Sequence, residues 1–525
     1  MSVQTSSRNG QHLSEGQKDR GRAPRALFRE RSGLIIGVVL AFVVYYVMPS
    51  DLSYQLRATA AATVLIAVWW MSEAIPIAAT ALVPLVLFPA LGLSDIGDFS
   101  GSYTNPTIFL FMGGFMLALA MQRWNLHKRI ALWVLSFMAS SSQMLILGFM
   151  LATGFLSMWV SNTATAVMML PIGVSVLAKV VDIVREGKKH DSSSTTDSAA
   201  QDIAEDAEED SAPNSNFGIA LMLGIAYSAS IGSLGTIIGT PPNAMLVAYM
   251  SENHDLEIGF GRWMLVGVPV AMVLMLVAWV LLTFVFYKPE INKMPGGREM
   301  MKAQLKDLGP MSTGEKRVLI AFIAAALAWV FVPVLWKETL FSDAVIAMTV
   351  GIALFIIPGG RSGVKLLTWR NMNELPWGVL LLFGGGLALS TQFTKSGLSE
   401  WIGEQMEGLG GLPVLFIIGG MVLVVLLLTE FTSNTATAAT FLPIVGGIAL
   451  TLGVDPMVFC VPVALAATSA FVMPVATPPN AIAYGSGYVT MQSMIKVGMW
   501  LNLIAMVLIS ITSVTLLGWV FNLVY

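Results

Sequence analysis

The sequence predicts an all-α polytopic membrane protein assembled from two inverted repeats. Three observations carry the prediction. Of 525 residues, 55% are hydrophobic and 12% are charged, about half the charged share of a soluble domain. Apolar runs long enough to cross about 30 Å of hydrocarbon recur along the chain. The stretch SNTATA occurs at 161–166 and again, letter for letter, at 433–438. Both copies lie in apolar surroundings, where an unpaired polar group is costly.

Residues 1–32 form a polar tail with Arg20, Arg22, Arg25, Arg29 and Arg31 near its end. The first apolar run, 33–48, lacks a small-residue cleavage site and is expected to be a retained helix rather than a signal peptide. Further runs fall near 54–72, 75–90, 106–122, 217–250, 262–287, 316–336, 341–358, 376–393, 456–484 and 497–523. Two stretches of about forty residues, 141–183 and 412–452, carry SNTATA in their middles. Each is either two full helices or a re-entrant hairpin. With a cytoplasmic N-terminus, the Lys and Arg residues of the tail, of 122–129, 185–189, 288–317 and 361–370 all fall inside. Only Arg57, Arg262, Lys337 and Lys395 fall outside or at that edge, which is the positive-inside pattern. Charge gives the same parity for either form of the two stretches. The hairpin reading rests on the polar tips, which at mid-depth belong in protein or a cavity and not against lipid. The tract 184–216 is acidic, Ser-rich and free of aromatic residues, and is expected to be a disordered cytoplasmic linker. Residues 288–315 read as a cytoplasmic connector.

LFMGGF at 110–115 aligns with LFGGGL at 382–387, and SNTATA at 161 with SNTATA at 433, both at an offset of 272 residues. Pro171 and Pro443 keep the same offset. A third pair follows, GTPPNA at 239–244 and ATPPNA at 476–481, at an offset of 237. The shortfall is about the length of the acidic linker, present only in the first half. Five spans separate the two SNTATA stretches, and five is odd, so the halves enter the membrane in opposite senses. The first repeat is thus 33–183, with an inward-opening hairpin at 141–183, followed by a broken helix and its successor over 217–287. The second is 316–525, with an outward-opening hairpin at 412–452, a broken helix at 456–484 and a last helix at 497–523. Inverted repeats with broken helices are the architecture of secondary transporters, with the site at the midplane.

A polar turn between two half-helices offers free N–H groups and a positive dipole end to an anion, and free carbonyls to a small cation. Pro-Pro breaks the neighbouring helix, so the carbonyls of Gly239, Thr240, Ala476 and Thr477 are expected to be unpaired. Neither tip contains Lys or Arg, the direct means of holding a carboxylate. Bound cations are therefore expected to supply the compensating charge, coupling anion binding to cation binding. The glycines of GGF and GGGL read as close helix packing. Among carboxylates at the ends of apolar runs, Glu73, Glu374 and Glu430, the last is the most pointed, either functional or a packing group paired with backbone N–H. With a single cysteine, Cys460, the chain has no intrachain disulfide. The four histidines lack metal-ligand spacing, and no HExxH or Walker-type loop occurs. An intramembrane enzyme and an ATP-driven pump are excluded on these grounds, and no nucleic-acid partner or organic cofactor is expected.

The paired SNT and TPPN motifs, with WWMSEAIPIAATALVPL at 69–85 and ELPWGVLLLFGGGLAL at 374–389, resemble the divalent anion/sodium symporter family of dicarboxylate and citrate transporters. The resemblance spans about 33–523 without the linker and is nearest to the bacterial sodium-dependent dicarboxylate symporters. It implies a homodimer of eleven-helix protomers with two re-entrant hairpins, in which a transport domain slides as an elevator against a scaffold in the bacterial inner membrane, surrounded by lipid. It implies two sodium sites: Ser157, Ser161, Asn162 and the Gly239 carbonyl; and Thr429, Ser433, Asn434 and the Ala476 carbonyl. Dicarboxylate contacts fall on Asn162, Thr163, Asn434 and Thr435, with Thr240, Pro241, Thr477 and Pro478 lining the site. The implied function is sodium-coupled import of succinate, fumarate or malate. The alternatives within the family are sodium-independent dicarboxylate exchange and citrate or sulfate transport.

Overall fold

A computed structural model describes residues 24–191, 215–290, 297–335, 341–406, 408 and 411–523. The basic tail up to residue 23, most of the acidic tract (192–214) and Lys337 lie outside the described residues. Among the described residues, eight helical segments are long and apolar enough to cross a membrane.

The first repeat opens with α1 (Pro24–Val47) and α2 (Tyr54–Ser72), the latter capped by Ser53, whose hydroxyl accepts from the Leu56 N–H. The helix of the first apolar run thus starts nine residues before the expected position 33. The run 75–90 is split into α3 (Ile77–Thr80) and α4 (Val83–Ala90). After the short α5 (Ile96–Phe99) comes α6 (Pro106–Arg123), begun by an Asn105 cap and a proline at its first position. Next are α7 (Leu126–Met138), α8 (Ser142–Ser157), α9 (Asn162–Asp191), α10 (Asn216–Ser233) and α11 (Pro241–His254). The repeat closes with α12 (Phe260–Val280), extended by a π-helical turn at Leu281–Phe286. A short α13 (Gly297–Asp307) leads to α14 (Thr313–Leu335) and α15 (Asp343–Ile356). The second repeat continues through α16 (Trp377–Ser396), α17 (Leu398–Gln405), α18 (Val414–Thr429), α19 (Asn434–Thr451), α20 (Pro456–Thr468), α21 (Pro478–Gly485), α22 (Met491–Val514) and α23 (Leu516–Phe521).

The offset of 272 residues that relates the motifs also relates the elements. It takes the starts of α7, α8 and α9 onto those of α17, α18 and α19. The helices α7 and α17 are amphipathic, too short and polar to register as spans, and each leads into an SNTATA stretch. The arms α8 and α18 are 16 residues each, about 24 Å at the helical rise and short of a bilayer core. The GG motifs pack as expected: Gly113 of α6 lies against the backbone of Ala347 in α15, and Gly385 of α16 against Ala81.

The interior is apolar, and so is much of the outward face. Helices α10 and α20 are buried along almost their whole lengths. By contrast α1, α14 and α22 display large apolar side chains outward, among them Phe42, Ile320 and Trp500. Such a surface suits hydrocarbon, not water. Polar contacts gather at two opposite ends. At one, Arg123 bonds Thr368 and Asn371, Arg129 pairs with Glu315 at 2.8 Å, and Arg317 donates to the Pro358 carbonyl. At the other, Arg57 bonds the Tyr45 carbonyl, Lys395 lies 3.6 Å from Asp98, and Glu252 accepts from Ser102, Asn105 and Thr391.

Candidate functional site

Two tips and two helix breaks form the polar centre. The tips are the turns between α8 and α9 (158–161) and between α18 and α19 (430–433); the breaks are 234–240, between α10 and α11, and 469–477, between α20 and α21. Each break follows from Pro-Pro at the start of the second half-helix, where the missing N–H costs nothing. Each is held open by the asparagine of its own TPPN motif. Asn243, fully buried, donates its Nδ2 to the carbonyls of Ser233 (3.4 Å), Leu234 (3.3 Å) and Thr236 (2.9 Å). Asn480, also fully buried, donates to Ala470 and Met473, both at 3.1 Å. Ser233 and Thr236 correspond to Ala470 and Met473 at the 237-residue offset, so the two staples are copies.

Each tip is tied to the break of its own repeat. Ser157, buried at the end of α8, donates its hydroxyl to the Ala229 carbonyl at 2.5 Å, and the Thr236 hydroxyl donates to the Met158 carbonyl. In the second repeat the Thr429 hydroxyl lies 2.7 Å from the Ala467 carbonyl and 2.9 Å from Asn434 Oδ1. One hydroxyl proton serves only one of these contacts at a time. Three oxygens thus converge with a single proton among them, an arrangement that a small cation satisfies.

The other expected residues are placed as follows. The Ser161 hydroxyl accepts from the Ala164 N–H (3.3 Å) and Asn162 Oδ1 from the Thr163 N–H (2.9 Å), so both cap the start of α9; Ser161, Asn162 and Thr163 are half-buried. Ser433 and Asn434 are half-buried and Thr435 is buried. Gly239 is buried where a Cβ would stand 2.3 Å from the Ser233 carbonyl oxygen, so only glycine fits. Thr240 is buried, with its hydroxyl 3.4 Å from that of Thr468 in the second repeat. Pro241 is half-buried, Ala476 buried and Pro478 exposed. One expectation fails: the Thr477 carbonyl is not unpaired, because it accepts from the Ala481 N–H at 3.0 Å as the first bond of α21. The Thr477 hydroxyl accepts from the Asn480 N–H at 3.3 Å, a capping role.

The two repeats exchange partners around this centre. Helix α9, which starts at the first SNT, packs on α21, which starts at the second Pro-Pro; α19 packs reciprocally on α11. None of the segments 157–166, 229–243, 429–440 and 467–480 contains Lys or Arg. Sequence reasoning missed Asn243 and Asn480 as staples, although both close a motif it had singled out. It missed the Ala467 carbonyl and Thr468 entirely, since nothing in their side chains marks them. Glu430 is paired with N–H donors: its oxygens accept from the N–H groups of Phe471, Val472 and Met473 and from Asn502.

Comparison with known proteins agrees with this arrangement. Residues 30–523 match the sodium:sulfate symporter transmembrane region. The chain is 40% identical over 485 residues to the sodium-dependent dicarboxylate transporter SdcS of Staphylococcus saprophyticus, covering 91% of this chain and 89% of that protein. It is 40% identical over 484 residues to SdcS of Staphylococcus aureus USA300, with the same coverage. Among solved structures, the YdaH transporter of Alcanivorax borkumensis superposes with a TM-score of 0.53 at 14% identity, over 94% of this chain and 99% of that one. MtrF of Neisseria gonorrhoeae gives 0.53 at 13%, over 93% and 95%. At those identities the likeness concerns the fold alone. With its motifs, its helical membrane architecture and its match over nearly the whole length, the chain belongs to the divalent anion/sodium symporter family, a family of transporters and not of enzymes.

Proposed function

We propose that this protein is a sodium-coupled symporter that imports C4 dicarboxylates such as succinate, fumarate and malate. The observation that carries the reading is the make-up of the centre. It consists of hydroxyl, amide and carbonyl groups from two mirror-related tips and breaks, with no cationic side chain in any of the four segments. A dianion in such a place needs positive charge, and neutral oxygens in convergent sets are ligands for a small hard cation. The names of the relatives at 40% identity agree with both cargoes.

In this reading sodium binds first. In the first repeat, Ser157 gives its proton to Ala229, which leaves the hydroxyl lone pairs free for an ion shared with Ser161, Asn162 and the Gly239 carbonyl. In the second, the ion takes up the oxygens of Thr429, Asn434 and Ser433, with the carbonyls of Ala467 and Ala476 at hand. Occupied, the two tips present their N-terminal half-helix N–H groups, Asn162, Thr163, Asn434 and Thr435 to the dicarboxylate. Thr240, Pro241, Thr477 and Pro478 form the walls.

The basic residues gathered at one end of the helices support a cytoplasmic N-terminus in a bacterial inner membrane. Short arms and polar tips support re-entrant hairpins among about eleven spans. A homodimer working as an elevator follows from the family resemblance. The test is uptake of labelled succinate by the purified protein in liposomes. Accumulation that requires an inward sodium gradient is expected; succinate counterflow indifferent to sodium would replace symport by dicarboxylate exchange.

A further inference from the structure

The first two helices meet closely at one end and part toward the other. Gly33 and Gly37 stand four apart on α1, a spacing that lets helix backbones approach. A Cβ on Gly33 would lie 2.3 Å from Ser72 Oγ, and one on Gly37 2.6 Å from the Trp69 ring. Beyond Gly37 no further glycine follows on α1, while α2 presents only the small side chains of Ala58, Ala61 and Ala62. A groove of about 280 Å³ is left between α1, α2 and the end of α4, with Val38 and Phe42 along it.

The groove is apolar except at one end, where three tyrosines gather. Tyr45 lies edge-on to Tyr46 and Tyr54, with ring centres 5.3 and 6.4 Å apart, and the Tyr54 hydroxyl donates to the Leu91 carbonyl at 2.9 Å. Tyrosine is enriched where hydrocarbon meets headgroups. Half-buried Arg57 stands over the Tyr45 ring, 4.5 Å from its centre, and donates Nε (3.2 Å) and Nη2 (2.8 Å) to the Tyr45 carbonyl. On α2 it follows Tyr54 by three residues and precedes Ala61 by four, so all three share the face that lines the groove. Among the described residues no carboxylate pairs with Arg57. Its charge is uncompensated, and its guanidinium keeps N–H groups beyond those given to Tyr45.

We propose that this groove is a phospholipid site: it takes one acyl chain of a glycerophospholipid whose phosphate rests on Arg57, at the end of the helices opposite the Arg129 cluster. Three features select this occupant. The groove opens on a face where α1 turns Phe42 and Tyr46 outward, which in a membrane is the face toward lipid. From Val38 to Tyr46 the helix rises about 12 Å, near one leaflet's half of the ~30 Å hydrocarbon core. A volume of about 280 Å³ over that length is a cross-section of roughly 23 Å², room for one alkyl chain and far short of a second helix about 10 Å across. The charge at the polar end is positive and planar, matched to the oxygens of a phosphate. A dicarboxylate would find apolar walls in place of a second set of donors.

The test is native mass spectrometry of the delipidated full-length protein titrated with dioleoylphosphatidylglycerol. Wild type is expected to bind one molecule per protomer at least about tenfold more tightly than any further ones, the margin set by hydrogen bonds to a charged group. Arg57→Gln should lose that margin and Arg57→Lys keep part of it. Ala61→Phe fills the groove and leaves Arg57 in place; it should lose the margin too, and it decides the matter if Arg57→Gln does not fold. Arg262→Gln, which removes an exposed arginine expected on the same side, should bind as wild type does. Dioleoylglycerol, with the chains but no phosphate, should bind at least about tenfold more weakly. Wild-type binding by folded Arg57→Gln or Ala61→Phe, an equal loss in Arg262→Gln, or equal binding of dioleoylglycerol overturns the site. A lower oligomeric state in Ala61→Phe than in wild type also overturns it, since the groove would then belong to a second copy of the chain.

Discussion

Gly232 and Gly154 face each other where helix α10 crosses α8. A Cβ on Gly232 would stand 2.2 Å from the Gly154 carbonyl oxygen and 2.4 Å from its Cα. Both are backbone atoms, so the helices must separate by about 1 Å to restore ordinary contact. The crossing lies one turn from Ser157 and Ala229, whose 2.5 Å hydrogen bond ties the first tip to its break. A shift of ~1 Å breaks that bond. Overpacking costs about 1–3 kcal/mol and the lost bond about 0.5–1.5 kcal/mol. Gly232→Ala should therefore lose about 2–4 kcal/mol of stability. Its uptake should fall at least about tenfold, through misplacement of the tip. Gly154→Ala is the matched control. Its Cβ would meet the Cε of Met275 at 2.2 Å, the far end of a flexible side chain that can turn aside, and the next atom is 3.2 Å away. Sodium-driven succinate uptake in liposomes and thermal melting in detergent measure both effects. Wild-type uptake and melting for Gly232→Ala, or greater damage from Gly154→Ala, would refute the reasoning.

Other outcomes follow from the same geometry. Asn162→Ala and Asn434→Ala should each abolish uptake while leaving expression and oligomer size intact on size-exclusion chromatography; full activity in either counts against the paired tips. Asn480→Ala leaves the buried carbonyls of Ala470 and Met473 without their donor, at a cost of about 2–4 kcal/mol in thermal stability. Asn480→Asp should be worse still in uptake, because it sets a carboxylate against those carbonyls. At the end of the molecule where Arg129 meets Glu315, burial lowers the His127 imidazole pKa, with the Met121 carbonyl opposing and Lys128 adding to the shift. The folded state thus holds fewer protons at this group than the unfolded one, and its stability falls as pH drops below about 6.5. The melting temperature of His127→Gln should accordingly fall less than that of wild type between about pH 7.5 and 5.5.

The parts of this fold that were legible in the sequence are those fixed by local rules. Pro241 and Pro478 announce the breaks because proline cannot continue a helix, and the repeat offset carries from SNTATA to the starts of whole helices. The amphipathic α7 and α17 went unread because hydropathy selects long apolar runs, although WNLHKRIALWVLSF shows helical spacing of its apolar residues. Long-range pairings were not legible. Glu430 finds its N–H partners 41 to 43 residues away, and Ala467 contributes a carbonyl that its side chain does not advertise. Thr477 shows the opposite error: the expected free carbonyl is taken up as soon as the next half-helix forms.

Transport in this reading requires that a doubly negative guest be held at mid-bilayer by neutral tips and the cations they recruit. A cryo-electron microscopy map of the protein in lipid with sodium and succinate tests this directly. The predicted map has the succinate between Asn162–Thr163 and Asn434–Thr435, with an ion density among the oxygens of Thr429, Asn434 and Ala467 and another among those of Ser157, Ser161 and Gly239. Tips lying apart with succinate elsewhere, or a lysine or arginine in contact with its carboxylates, would contradict it.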